Sequence, residues 1–188
     1  MRVVLASAER HQALVNEYAA TEPTADFQGT TCDGEVTVAG WDAHTWTAPI
    51  PVSGRPFLVT AMMHMRVHME AGLRISTKQL PVAEGTTLVQ SIGVGPLRLL
   101  VPVRVVRVVD EPTRSGFAYA TLPDHPEQGE EAFIVETMPD GSTRFRVTAI
   151  SRPGSALVKA SGPLGGLAQA LAVRRYLRAS QRIAATSR

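Results

Sequence analysis

The chain has 188 residues, 44% of them apolar and 19% charged, with a formal charge of +2. That length fits one domain able to bury a core without staples, and the composition excludes disordered, collagenous and strongly acidic classes. No run approaches the roughly 20 apolar residues of a membrane span, and a single cysteine, Cys32, excludes an intramolecular disulfide framework and suits a reducing interior.

In chain order, the opening MRVVLASAERHQALV has too short an apolar run before Glu9 and Arg10 for a signal peptide, so the expected location is the cytoplasm. Residues 6–20 predict a short helix with Leu14, Val15 and Tyr18 on one face. Residues 21–40, rich in Thr, Gly and Asp, read as a loop, so 1–40 forms an N-terminal helical arm and 41–188 the main domain. Such an arm could lid a pocket or exchange between two copies in a homodimer.

WDAHTWTAPI (41–50) predicts a first strand, ended by Pro49 and Pro51. Ser53 as N-cap and Pro56 in the first turn then open one apolar, methionine-rich helix, RPFLVTAMMHMRVHMEA, closed by Gly72. Beyond Gly72 the period changes. LRISTKQL, TTLVQSIGV, RLLVPVRVVRVVDE, GFAYATL, EEAFIVETM and STRFRVTAIS are dense in β-branched and aromatic residues, and turn signals separate them. Short connections imply an antiparallel meander. LLVPVRVVRVV is apolar on both faces, which fits either a wrapped sheet lining an apolar cavity or a bulge near Pro102.

After Arg152-Pro153 the pattern is helical to about Ala185, with a break at Gly162-Pro163 and an apolar stripe of Leu167, Ala170, Val173, Leu177 and Ala184. Arg174, Arg175, Arg178, Arg182 and Arg188 crowd the last fifteen residues and read as a solvated face. Tyr176 is the one aromatic among them, so no base-stacking ladder forms and nucleic acid is not an expected partner. The order predicts an α+β fold: a curved antiparallel seven-stranded sheet wrapped around a long C-terminal helix, the START-like helix-grip arrangement, with an N-terminal helical arm.

GFAYATLPDHPEQGEEAFIVE, with SRP at 151–153, GP at 162–163 and RRYLRA at 174–179, resembles the bacterial and plant group known as uncharacterised protein family 0548, a domain of unknown function. The similarity runs from about Phe57 to Ser180. A Trp-Arg-Met-His element of that family corresponds here to Met65, Arg66, Val67 and His68, and glycines expected after Tyr119 and Pro123 are Ala120 and Asp124. The resemblance implies no agreed reaction.

Of the two adjacent glutamates, Glu130 and Glu131, only one can face the concave side, because neighbours in a strand point to opposite faces. An inward carboxylate is desolvated and suited to general acid-base work. The alternative is that both glutamates and His125 stitch the corner by accepting backbone N–H groups. His64 and His68 lie four apart, yet Met65 stands where a zincin needs glutamate, and no metal is expected. SGPLGG (161–166) could hold an anion at a helix start but lacks a phosphate-loop ending. No nucleophile elbow and no dinucleotide fingerprint is present, so no cofactor is expected.

The expected ligand is a hydrophobic, polyketide-like or lipid-like small molecule, and the expected activity a cofactor-free cyclisation or isomerisation, with a carrier or sensor as the alternative. Glu131 is the candidate proton acceptor, Tyr119 and His68 are candidate donors, and Arg66 is a candidate anchor for an enolate or carboxylate. Met62, Met65, Met69, Phe117, Phe133 and Trp46 complete the expected ligand-binding set.

Overall fold

A computed structural model describes residues 2–5, 8–34, 36–93, 97–154 and 163–186. Its elements are β1 (Val3–Leu5), α1 (Ala8–Ala19), β2 (Asp42–Ile50), α2 (Arg55–Met63), α3 (Arg66–Glu70), β3 (Arg74–Thr77), β4 (Thr87–Ile92), β5 (Leu97–Asp110), β6 (Arg114–Thr121), β7 (Glu127–Thr137), β8 (Thr143–Pro153) and α4 (Pro163–Ala185). The strands form one antiparallel sheet in the order β2-β8-β7-β6-β5-β4-β3, while β1 pairs with β5 at Leu97 to Leu99, on the edge that β6 leaves free. The sheet curves around α4 in a helix-grip arrangement. The seven expected strands are all present, and β1 is an addition.

Two departures have physical reasons. The single helix expected over residues 55–71 is two, because Met65 adopts a left-handed conformation (φ 59°) between α2 and α3. A non-glycine residue there costs about 1 kcal/mol, which the complete burial of Met62, Met65 and Val67 offsets. Ser53 does not cap the helix, since Gly54 holds that position without a side-chain bond. Residues 155–162, and with them the expected break at Gly162, lie outside the described residues; Pro163 is the first residue of α4.

The second departure concerns β5. The register shift falls between Val105 and Arg107 rather than at Pro102. Val103 and Val105 point to the concave core and Leu100 and Val109 to the convex side, the extra residue keeping both faces apolar across the bulge. Both faces are covered. Leu14, Val15 and Tyr18 of α1 pack on Val89, Leu100 and Leu122, so the arm lies on the convex face, opposite the cavity, and does not lid it. Further on, a 3-10 turn at Thr30–Asp33 sets Cys32 against Val109, Ala118, Ala132 and Ile134.

Charged side chains pointing outward from the sheet hold that turn. Glu130 accepts the backbone N–H groups of Gly29 and Thr31 and the Thr31 hydroxyl (2.6 Å). Arg146 donates to the carbonyls of Thr31 (3.3 Å) and Cys32 (2.9 Å), and Arg107 to Gly29 O (2.9 Å) and Asp33 (2.7 Å). Glu130 is only 2% exposed, so its loss would strand buried donors. Glu130→Ala should therefore cost about 3 kcal/mol in urea unfolding, and Glu130→Gln, which keeps an acceptor, clearly less. Equal stability of wild type and both variants would mean the turn is not held this way.

Candidate functional site

The concave face is packed in two unequal parts. Toward α2 and α3 it is solid: Phe117, Phe133 and Phe145 are fully buried with Met62, Met65 and Val67 in the main core. Toward the other end, between the sheet and α4, the described residues line a half-open cavity of about 270 Å³. Ile92, Leu99, Val101, Ala149, Ala172 and Val173 make its apolar wall. His125, Pro126 and Glu127, from the corner between β6 and β7, and Gln169 of α4 stand at one end.

Register places the chemistry. Tyr119 on β6 and Glu131 on β7 are cross-strand partners, both inward, and the Tyr119 hydroxyl donates to Glu131 Oε2 at 2.7 Å. Burial pushes the Glu131 carboxyl up to about 7, a rise that the Tyr119 hydrogen bond only partly opposes. Tyr176 of α4 reaches the same wall, and burial, more than the nearby Glu131, holds its phenol protonated well above the usual range.

His68 stands behind these groups. It is fully buried, with ring centroids 4.5 Å from Phe133, 4.9 Å from Tyr176 and 5.8 Å from Tyr119. Burial alone lowers its pKa to about 3, and neither ring nitrogen has a hydrogen-bond partner. The imidazole is neutral.

Glu131 and Tyr119 thus meet at the cavity with His68 packed against the Tyr119 ring, outside the lining, while other expected residues stand elsewhere. Arg66 is on the outside, 3.7 Å from Glu70, in an open groove of about 980 Å³ between α2, α3 and the end of α4, and it cannot anchor a ligand in the cavity. Met62 and Met65 are core, and Met69 is 44% exposed beside α1, because the break at Met65 turns α3 away from the line of α2. Phe117 and Phe133 brace His68 instead of lining the cavity. Trp46 is half-buried on the edge strand β2, 5.4 Å from the His44 ring. His64 is bonded to Thr60 O (2.9 Å) and His68 is enclosed, so the two histidines do not share a face. Among the described residues no group of three metal-ligating His, Cys, Asp or Glu side chains is placed for an ion, and no helix is long and apolar enough to cross a membrane.

The corner divides its polar groups. Glu130 and His125 stitch: the His125 Nδ1 accepts the Glu127 N–H at 2.9 Å, and burial lowers that imidazole to about 4. Glu131 does not. Gly129 lets β7 pass close to β8, since at φ 144° a Cβ there would lie 1.9 Å from the Ile150 carbonyl. Asp124 takes a left-handed conformation (φ 71°), and Tyr18 of α1 donates to its carboxylate at 3.1 Å.

Tyr176 lines the cavity and is absent from the expected set. Gln90, on β4 between Leu88 and Ile92, is fully buried and does not line it. Tyr176 continues the buried α4 stripe of Val173 and Ala179, three residues from each.

Residues 30–179 match the family described as Domain of unknown function (DUF1990). A curated relative, a UPF0548 protein of Deinococcus radiodurans, is 43% identical over 75 residues, which cover 40% of this chain and 38% of that protein. Among solved structures, the hypothetical protein jhp0584 from Helicobacter pylori superposes with a TM-score of 0.52 at 12% identity, over 90% of this chain and 100% of that one. Ara h 8.0201 is similar at a TM-score of 0.49 and 12% identity, over 77% and 99%. At these identities the likeness to solved structures is one of fold.

The raised Glu131 pKa has a sign that can be measured. The folded protein keeps that proton to about pH 7, whereas the unfolded chain loses it near 4.5, so this contribution favours folding at low pH and fades as pH rises between the two values. His68 acts oppositely, its contribution being lost as pH falls from 6.5 toward 3. Glu131→Gln should therefore gain stability over wild type between pH 4.5 and 8, by up to about 3 kcal/mol and less where water enters the cavity. Urea titrations at the two pH values test this, and a pH-independent difference would rule out the shift.

Proposed function

The chain belongs to the family described as Domain of unknown function (DUF1990), and we propose that it binds a compact, largely apolar small molecule in the helix-grip cavity and isomerises or cyclises it by proton transfer through Glu131, without a cofactor. The observation that carries this reading is an inward carboxylate with a pKa near 7, hydrogen-bonded to a phenol and facing an apolar wall. A general base works best when its pKa matches the working pH, and burial is what tunes a glutamate that far.

Volume narrows the ligand. At about 270 Å³ the cavity is at the lower end of small-molecule pockets, which favours a ring-sized body over a long acyl chain. In the proposed step the Glu131 carboxylate takes a proton from carbon beside a carbonyl, and the C–H electron pair passes into an enolate. The same carboxyl returns the proton to a second carbon, ending as it began, so no electrons are gained or lost. Held in one orientation, the ligand needs little more. The setting we propose is the cytoplasm, in keeping with Cys32, a free, fully buried thiol that burial raises to about 12.

Native mass spectrometry of freshly purified protein tests the reading. Glu131→Gln should trap a stoichiometric ligand that wild type turns over and releases, and Val173→Trp, which fills the cavity, should carry none. A wild type that retains the same ligand at full occupancy would replace the enzyme by a carrier. Retention by Val173→Trp would move the ligand out of this cavity.

A further inference from the structure

The cavity has a second polar end, which the proton transfer does not use. Glu127 opens β7 opposite Pro153 and faces the same side of that strand as Glu131, four residues and about 13 Å further along. Both residues line the cavity, and Gly129 between them has no side chain, so nothing projects from the strand between the two carboxylates. Ala149 and Ser151, small residues of β8, lie beside that stretch, and Ile92, Leu99 and Val101 make an aliphatic wall. The space is therefore polar at two ends and apolar between them.

The outer carboxylate is short of donors. Among the described residues its one hydrogen-bond partner is the Gln169 amide, 3.5 Å from Oε2, and the same nitrogen also serves Ser151 Oγ at 3.3 Å. No lysine or arginine is among the described residues lining the cavity, and burial, with no cation to oppose it, raises the Glu127 pKa. The corner fixes where the group stands, since His125 Nδ1 accepts the Glu127 N–H at 2.9 Å and Gly154 donates to the Pro126 carbonyl at 2.9 Å. Glu130, three residues on, shows the contrast: its carboxylate takes three donors from the Thr30–Asp33 turn and the residue before it.

An ionised carboxylate only accepts, so the group that completes Glu127 must donate. A second anion there would add like charge with no countercharge, and an ether or carbonyl oxygen would set acceptor against acceptor. A hydroxyl or an ammonium meets the need. Building on the proposed small-molecule reading, we infer that the ligand is polar at both ends, with a hydrogen-bond donor on the ring edge opposite the reacting carbonyl, and that Glu127 is the residue that selects it. Glu131 moves the proton at the inner end, and Glu127 sets which way round the ring body lies.

Calorimetric titration at pH 7 with naphthalene methyl ketones tests the inference. The parent is 2-acetylnaphthalene, and its 6-hydroxy, 6-aminomethyl, 6-methoxy and 6-carboxylate derivatives vary the far end alone. The hydroxy or the aminomethyl compound, or both, should bind at least about tenfold more tightly than the methoxy compound, with the tighter of the two telling hydroxyl from ammonium, and the carboxylate should bind more weakly than the parent. Glu127→Gln, which brings an N–H to the outer end, should draw the hydroxy and methoxy compounds to within about threefold of each other. Glu127→Leu should bring both down to the parent. Methoxy or carboxylate binding as tightly as the donors, or a donor preference that survives in both variants, overturns the assignment of the outer end alone. Failure of every ketone to bind overturns the cavity reading together with it.

Discussion

Strands β5 to β8 carry apolar side chains on both faces, and a sheet built that way must be covered twice. On the concave side α2, α3 and α4 provide the cover, with Phe117, Phe133 and Phe145 meeting Met62, Val67 and Val173. On the convex side α1 covers Leu100 and Leu122, and the Thr30–Asp33 turn covers Val109, Ala118 and Ile134. The N-terminal segment is thus a second layer of core. Hydrophobic burial is non-directional, so it brings this layer to the sheet but does not set its position. Position comes from the polar clamp, in which Glu130 takes the backbone donors of the turn and Arg146 and Arg107 take its carbonyls.

The same alternation that sends Glu130 outward sends Glu131 inward, so one dipeptide serves both layers. Outside, a carboxylate satisfied by three donors is a structural group. Inside, a carboxylate with one phenol partner and an apolar wall is a titratable one. The chemistry of the two differs because their surroundings do.

The division of the concave face gives the site its character. The aromatic half fixes the His68 ring from several sides and leaves no room for movement, while the half beneath Ala172 and Val173 is left open by small and β-branched side chains. Rigid packing next to open space is how a fold holds a few polar groups in fixed positions around a small ligand. Two phenols beside one carboxylate, with a buried neutral imidazole packed against the phenol rings, make a site rich in hydrogen-bonding capacity and poor in charge.

Much of this was written in the chain order of residues. Strand periods, short turns and the α4 stripe determined the meander and its central helix, because local alternation and helical spacing report which residues face a core. The pairing of Tyr119 with Glu131 was also within reach, since a hairpin's register follows from its turn. What only the tertiary structure decided were matters of cover and break: which glutamate faced the cavity, that the arm seals the convex face, and that the helix breaks at Met65, carrying Arg66 and Met69 away from the site. No local signal marks that break, because the left-handed residue is stabilised by burial against distant strands. For the same reason Glu131 and Tyr176, far apart in sequence and on different elements, meet at one cavity only because the sheet curls around α4.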